Sequence, residues 1–160
     1  MHGVPPNDFP KNELTEFFSL HARLEHSHGT DQSVLTRYDE LDSKVRNWHR
    51  TAQNDPFWTA SLELAGHLSQ ATKCEVIVGF NEFCAPKLDD ALDQAAANGA
   101  EKIIVVTPMM TRGGEHSEKD IPAAIKQAQE RHPKIKIIYA WPFKTSEVAQ
   151  FLANQIAKVL

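Results

Sequence analysis

The chain has 160 residues, 41% of them apolar and 24% charged, with a formal net charge of −4. That suits one well-cored globular domain, offers no general attraction to nucleic acid or an anionic membrane, and leaves no apolar run near the ~20 residues of a membrane span. No basic segment followed by an apolar stretch opens the chain, and Cys74 and Cys84 form no CxxC pair, so a cytoplasmic protein with free thiols is expected.

Met1-His2-Gly3-Val4-Pro5-Pro6 opens the chain with no strand before it. Leu14, Phe17, Phe18 and His21 then fall at helical spacing. His26-Ser-His-Gly-Thr-Asp31 is polar and reads as a loop; its His26/His28 pair resembles a metal-handling tract only weakly. Val34, Tyr38, Leu41, Val45 and Trp48 make a heptad-like stripe. Such a stripe is core packing, or else a surface for dimer contacts or a lid. Phe57, Ser61, Leu64, Ala65 and Leu68 predict a third helix.

From there the grammar changes. Cys74–Phe80 is a β-branched run expected to be a strand buried on both faces. Lys87–Asn98 is helical in pattern and stops at Gly99. Lys102–Thr107 predicts a second strand, closed by Pro108. Ile121, Ala124, Ile125 and Ala128 mark a helix with Asp120 as its expected N-cap and Pro122 in the first turn; His132-Pro133 ends it. Lys134–Tyr139 is a third strand, and Val148, Phe151, Leu152, Ile156 and Val159 mark a last helix. Strand–helix alternation predicts an α/β fold: a three-layer parallel sheet, right-handed crossovers and helices on both faces.

In such sheets ligands bind beyond the carboxyl ends of the strands. Those ends lead into Asn81–Pro86, Pro108–Glu118 and Trp141–Lys144. They offer a carboxylate (Glu82), an imidazole (His116) with a neighbouring carboxylate (Glu115), a guanidinium (Arg112) and the apolar Met109, Met110, Trp141 and Phe143. Imidazole and carboxylate suit borderline divalent cations, and neutral imidazole accepts protons near pH 7. Thioether and aromatic groups suit a flat apolar ligand, and Arg112 suits carboxylates on it.

At these positions the sequence resembles a known family. Gly-Gly-Glu-His116-Ser-Glu-Lys-Asp120-Ile121-Pro122 is similar to the Gly-x-His-x-x-x-Asp-Ile-Pro element of the small sirohydrochlorin cobaltochelatases. Phe80-Asn-Glu82-Phe-Cys-Ala-Pro86 is similar to their Phe-x-Glu-x-x-x-Pro element, and His2-Gly3 to their His-Gly element. The resemblance spans about residues 56–160 and the first few residues. Residues 12–55 match poorly and read as a helical insertion in a single 1–160 domain.

The resemblance implies a class II chelatase fold, in whose short members one chain is a half-unit and two pair as a homodimer. It implies insertion of a divalent metal (cobalt, with iron or nickel as alternatives) into sirohydrochlorin or a related tetrapyrrole, with no organic cofactor. Carried over by position, His2, His116 and Glu82 are the metal ligands and proton acceptors; Arg112, Met109, Met110, Glu115 and Trp141, by their chemistry at the strand ends, are expected to face the tetrapyrrole. The alternative is a protein on the same fold that binds a tetrapyrrole or metal without inserting it. A flavodoxin- or receiver-like domain is disfavoured, since neither a Gly-rich phosphate loop nor an acidic cluster at the first strand is present.

Overall fold

Aspartates open two of the N-terminal helices by the same device. Asp31 accepts the Ser33 N–H (2.9 Å) at the start of α2 (Gln32–Arg46), and Asp55 accepts the Trp58 N–H (2.8 Å) at the start of α3 (Pro56–Thr72). Pro56 sits in the first turn of α3, where its missing N–H is no loss. Before them runs α1, Lys11–His26. The computed structural model describes residues 1–26 and 31–160. The loop expected between α1 and α2, and with it any reading of the His26/His28 pair, lies outside the described residues.

The chain divides into two compact units, His2–Lys87 and Leu88–Leu160. In the first, α1 and α2 bury Phe17 and Leu20 against Val34 and Leu41, with Tyr38 stacked on Phe17 at 4.9 Å. Val45 is buried as well. The heptad-like stripe is therefore core packing within the chain, not a surface left for dimer contacts or a lid. Trp48 ends it edge-on to Phe9 (5.0 Å), its indole N–H donating to Asp8 (2.9 Å). Each fully buried aliphatic side chain here contributes about 1.5–3 kcal/mol.

The run at 74–80 departs from expectation. Phe80 makes an isolated parallel bridge to Lys87, and residues 75–79 are not in a described strand. β-branched residues favour extended backbone, but a strand is also defined by its ladder, and the ladder described for this run is the one bridge at Phe80.

In the second unit β1 (Lys102–Val105) pairs in parallel with β2 (Lys136–Tyr139), Ile103 facing Ile137 and Val105 facing Tyr139. Helices α4 (Leu88–Ala97) and α5 (Ile121–Arg131) bury Leu92, Ile121 and Ala128 around Val105, with Ile103, Ile137 and Tyr139 packed alongside. Alternate residues point the other way, so Ile104 remains 57% exposed. β1 is thus buried on one face. Helix α6 (Thr145–Ile156) buries none of its residues and leaves Phe151, Leu152 and Ile156 exposed. No described helix is long and apolar enough to cross a membrane.

Candidate metal centre

The His-Gly element and the Glu82 loop meet through their backbones. The Glu82 N–H donates to the His2 carbonyl (2.9 Å). Gly3 adopts φ +107°, and a Cβ there would lie 1.9 Å from the Glu82 carbonyl oxygen, so only glycine permits this approach. The crossing sets His2 Nε2 3.7 Å from Glu82 Oε2, with both side chains partly exposed. One imidazole nitrogen and one carboxylate oxygen at that separation can share a single cation.

The Glu82 loop turns sharply at Phe83, which takes φ +55° while the Cys84 N–H reaches back to the Glu82 carbonyl (2.6 Å). Two arginines from the end of α2 and just beyond it hold the surrounding carbonyls. Arg46 bonds both oxygens of Asp42 (2.9 and 2.8 Å) and donates to the carbonyls of Cys84 (3.0 Å) and Asn81 (3.1 Å). Arg50 pairs with the buried Asp55 and donates to the carbonyls of Val4 (3.1 Å), Val45 (3.0 Å) and Phe83. Lys87 joins Asp42 at 3.0 Å. Reading the sequence did not single out these groups. The Asp42/Arg46 spacing of four was the signal available, but it marks a helix-surface pair as readily as a buried one.

Cys84 is fully buried, its Sγ 3.8 Å from the Val4 carbonyl. Burial pushes its thiol pKa up, so no thiolate stands beside Glu82.

His116 lies in the second unit, at the start of a π-helical turn, His116–Asp120, closed by the Ile121 N–H to the His116 carbonyl. The turn runs directly into α5, so Asp120 has helical φ/ψ and makes no side-chain cap bond. Its carboxylate instead meets His116 Nδ1 at 2.5 Å. The expected N-cap is therefore a histidine orienter. An Nδ1–H donated to Asp120 leaves the lone pair on Nε2, the atom suited to metal or proton. The Ser117 carbonyl accepts from the Tyr139 hydroxyl (3.0 Å), which ties the turn to β2.

The neighbours read from sequence fall into different settings. Glu115 pairs with Lys119 (3.0 Å). Met109 packs into the core around Val105, whereas Met110 is exposed. Arg112 is exposed, one residue before Gly113, whose N–H donates to Glu118 (2.8 Å). Trp141 stacks on Tyr139 (6.2 Å) and meets Phe143 edge-on (5.7 Å). Of the three expected ligands, His2 and Glu82 are brought together within the first unit, and His116 is built separately in the second.

The CbiX family model matches residues 55–159, which include Glu82, Arg112 and His116 but not His2, Arg46 or Arg50. A sirohydrochlorin cobaltochelatase of Saccharolobus islandicus is 39% identical over 109 residues, covering 63% of this chain and 84% of that protein. The sirohydrochlorin cobaltochelatase of Sulfurisphaera tokodaii is 34% identical over 83 residues, 51% of this chain and 65% of the relative. That of Priestia megaterium is 36% identical over 70 residues, 44% of this chain and 22% of the relative. The chain thus spans less than two thirds of the length of these last two proteins. The crystal structure of a CbiX protein from Marinobacter aquaeolei shares the fold, with a TM-score of 0.50 and 23% identity over 69% of this chain and 88% of that one.

Proposed function

Since the chain belongs to the CbiX family, we propose that it is a metal chelatase that inserts a divalent cation into sirohydrochlorin or a related tetrapyrrole. The observation that carries this reading is the His2–Glu82 pair, presented at 3.7 Å by a backbone crossing that only glycine allows. His116 is proposed as the second imidazole, its Nδ1 engaged by Asp120 so that Nε2 faces metal or substrate.

Insertion exchanges two pyrrole N–H protons for one divalent ion. The site must hold the ion firmly enough to present it and weakly enough to release it. Imidazole and carboxylate meet that need better than thiolate, and the buried, protonated Cys84 leaves the set free of sulfur. Cobalt is the proposed metal, with iron or nickel served by the same donors; the metal is substrate, and no organic cofactor is required. As the metal leaves, His116 and Glu82 accept the pyrrole protons, a role that suits an imidazole and a carboxylate. Arg112, Met110 and Trp141 are proposed to contact the ring and its carboxylates, with Glu115 at their margin and Met109 supporting the loop from the core.

We further propose a cytoplasmic homodimer in which residues 1–160 are a single chelatase-like domain, one half-unit of the pair, and residues 12–55 are a helical insertion in it. The exposed apolar face of α6 supports pairing. The test is spectroscopic: protein, anaerobic sirohydrochlorin and Co²⁺, run beside His116→Ala and an enzyme-free blank. Wild type is expected to exceed the blank and the variant to fall to it. A shift in ring absorption with no rate above the blank would replace the enzyme with a binding protein, and no shift would remove both readings.

A further inference from the structure

We propose that Arg46 and Arg50, which lie outside the segment matched to the family, are positioning residues that hold the Glu82 loop and the His-Gly segment so that His2 and Glu82 are presented as a pair. The inference rests on the proposed metal-handling role of that pair.

Residues 81–86 make no strand ladder, so their carbonyls need other donors. Each carbonyl from 81 to 84 has one. Asn81 and Cys84 take Arg46 (3.1 and 3.0 Å), Phe83 takes Arg50, and Glu82 takes the Cys84 N–H (2.6 Å). Val4, two residues beyond His2, takes Arg50 at 3.1 Å. Two guanidinium heads therefore secure both backbone segments that carry the pair.

The heads are themselves fixed. Arg46 is anchored on Asp42, with side chains 11% and 9% exposed, and Arg50 on Asp55, with 4% and 0%. A guanidinium can do this because its donors fan out in a plane and reach an acid and two carbonyls at once. An ammonium group at the same place can satisfy the acid but cannot span the loop. The sequence also pairs each arginine with an aspartate four or five residues away, so anchor and clamp come from one short segment. The helical addition thereby braces the ligand loop from behind.

The test uses Arg46→Lys in the full chain, with Arg37→Lys as a control in the same helix, since Arg37 pairs with Glu16 and Glu40 rather than with the loop. Two quantities are read: Co²⁺ affinity with its visible spectrum, and hydrogen exchange of the amides of 81–86. Arg46→Lys is expected to weaken Co²⁺ by about 10- to 100-fold, alter the spectrum, and speed exchange in 81–86 while α1 and α2 stay protected. Asp42→Asn, which loosens the anchor and keeps the guanidinium, should shift both readouts the same way by less. Wild-type affinity and spectrum in a folded Arg46→Lys would overturn the inference and leave the proposed function standing. If wild type itself binds no Co²⁺, the metal reading fails and exchange decides the clamp: faster exchange confined to 81–86 supports it, and unchanged exchange sinks it.

Discussion

Replacing Gly3 by alanine attacks the crossing that presents His2 to Glu82. The new Cβ would lie 1.9 Å from the Glu82 carbonyl oxygen and 2.9 Å from its carbon, both backbone atoms that cannot swing aside. Relief requires the 2–4 segment to lift away. Forcing a side chain into positive φ costs about 1–2 kcal/mol, and losing the Glu82 N–H to His2 carbonyl bond costs about 0.5–1.5 kcal/mol. Together these come to about 1.5–3.5 kcal/mol, or ~10- to ~400-fold in the population with His2 held against Glu82. Co²⁺ titration should show a weakening within that range, while circular dichroism keeps the wild-type helical signal, since α1–α3 do not depend on the contact. Gly99→Ala is the control. Gly99 also has positive φ (+87°), but nothing lies within 4 Å of its added Cβ, so strain appears without any change at the metal. Wild-type Co²⁺ affinity in a folded Gly3→Ala protein would refute the reasoning.

Three further outcomes are expected. Asp120→Asn removes the carboxylate that orients His116 and should cut Co²⁺ affinity about 10- to 100-fold with little change in thermal midpoint, checked by titration and a melt. Leu41→Ala empties a buried position between α1 and α2 and should cost about 2–5 kcal/mol in urea unfolding, with the denaturant slope unchanged. The His132 hydrogen bond, reinforced by Arg131, holds the Asp93 carboxyl below its ordinary 3.8. A depressed folded-state value means that the contribution is complete above 3.8 and is lost as pH falls through the lower value. Wild type should therefore melt above Asp93→Asn near neutral pH, and the gap should close on acidification; a gap that widens in acid would contradict the sign.

Helices with a continuous apolar stripe were legible in the sequence, as Val34, Leu41 and Val45 illustrate: their spacing alone puts them on one face, and that face is buried. The β1–β2 pair was legible for the same reason, although Ile104 shows that a β-branched run does not reveal how many of its faces are covered. Strand formation at 74–80 was not, because pairing is a property of two segments and the run carries information about only one. The chemistry-bearing residues declared themselves by type and by the strand ends they follow. Their supports did not. Asp120 reads as a cap because it precedes Ile121-Pro122, and only the π-helical turn brings it round to His116. Arg46 and Arg50 carry no mark of this role in the sequence; the folded chain sets their heads on the carbonyls of Val4, Asn81, Phe83 and Cys84.

The most direct test of the central claim, that His2, Glu82 and His116 serve one metal ion, is a Co²⁺ titration followed by visible absorption. It compares wild type, His2→Ala, His116→Ala and the double variant. One ion per chain is expected in wild type, each single variant should lose both affinity and band intensity, and the double variant should lose less than the two single losses added together, because ligands to one ion are coupled. A His116→Ala protein that takes up Co²⁺ with the wild-type spectrum and affinity would contradict the shared site.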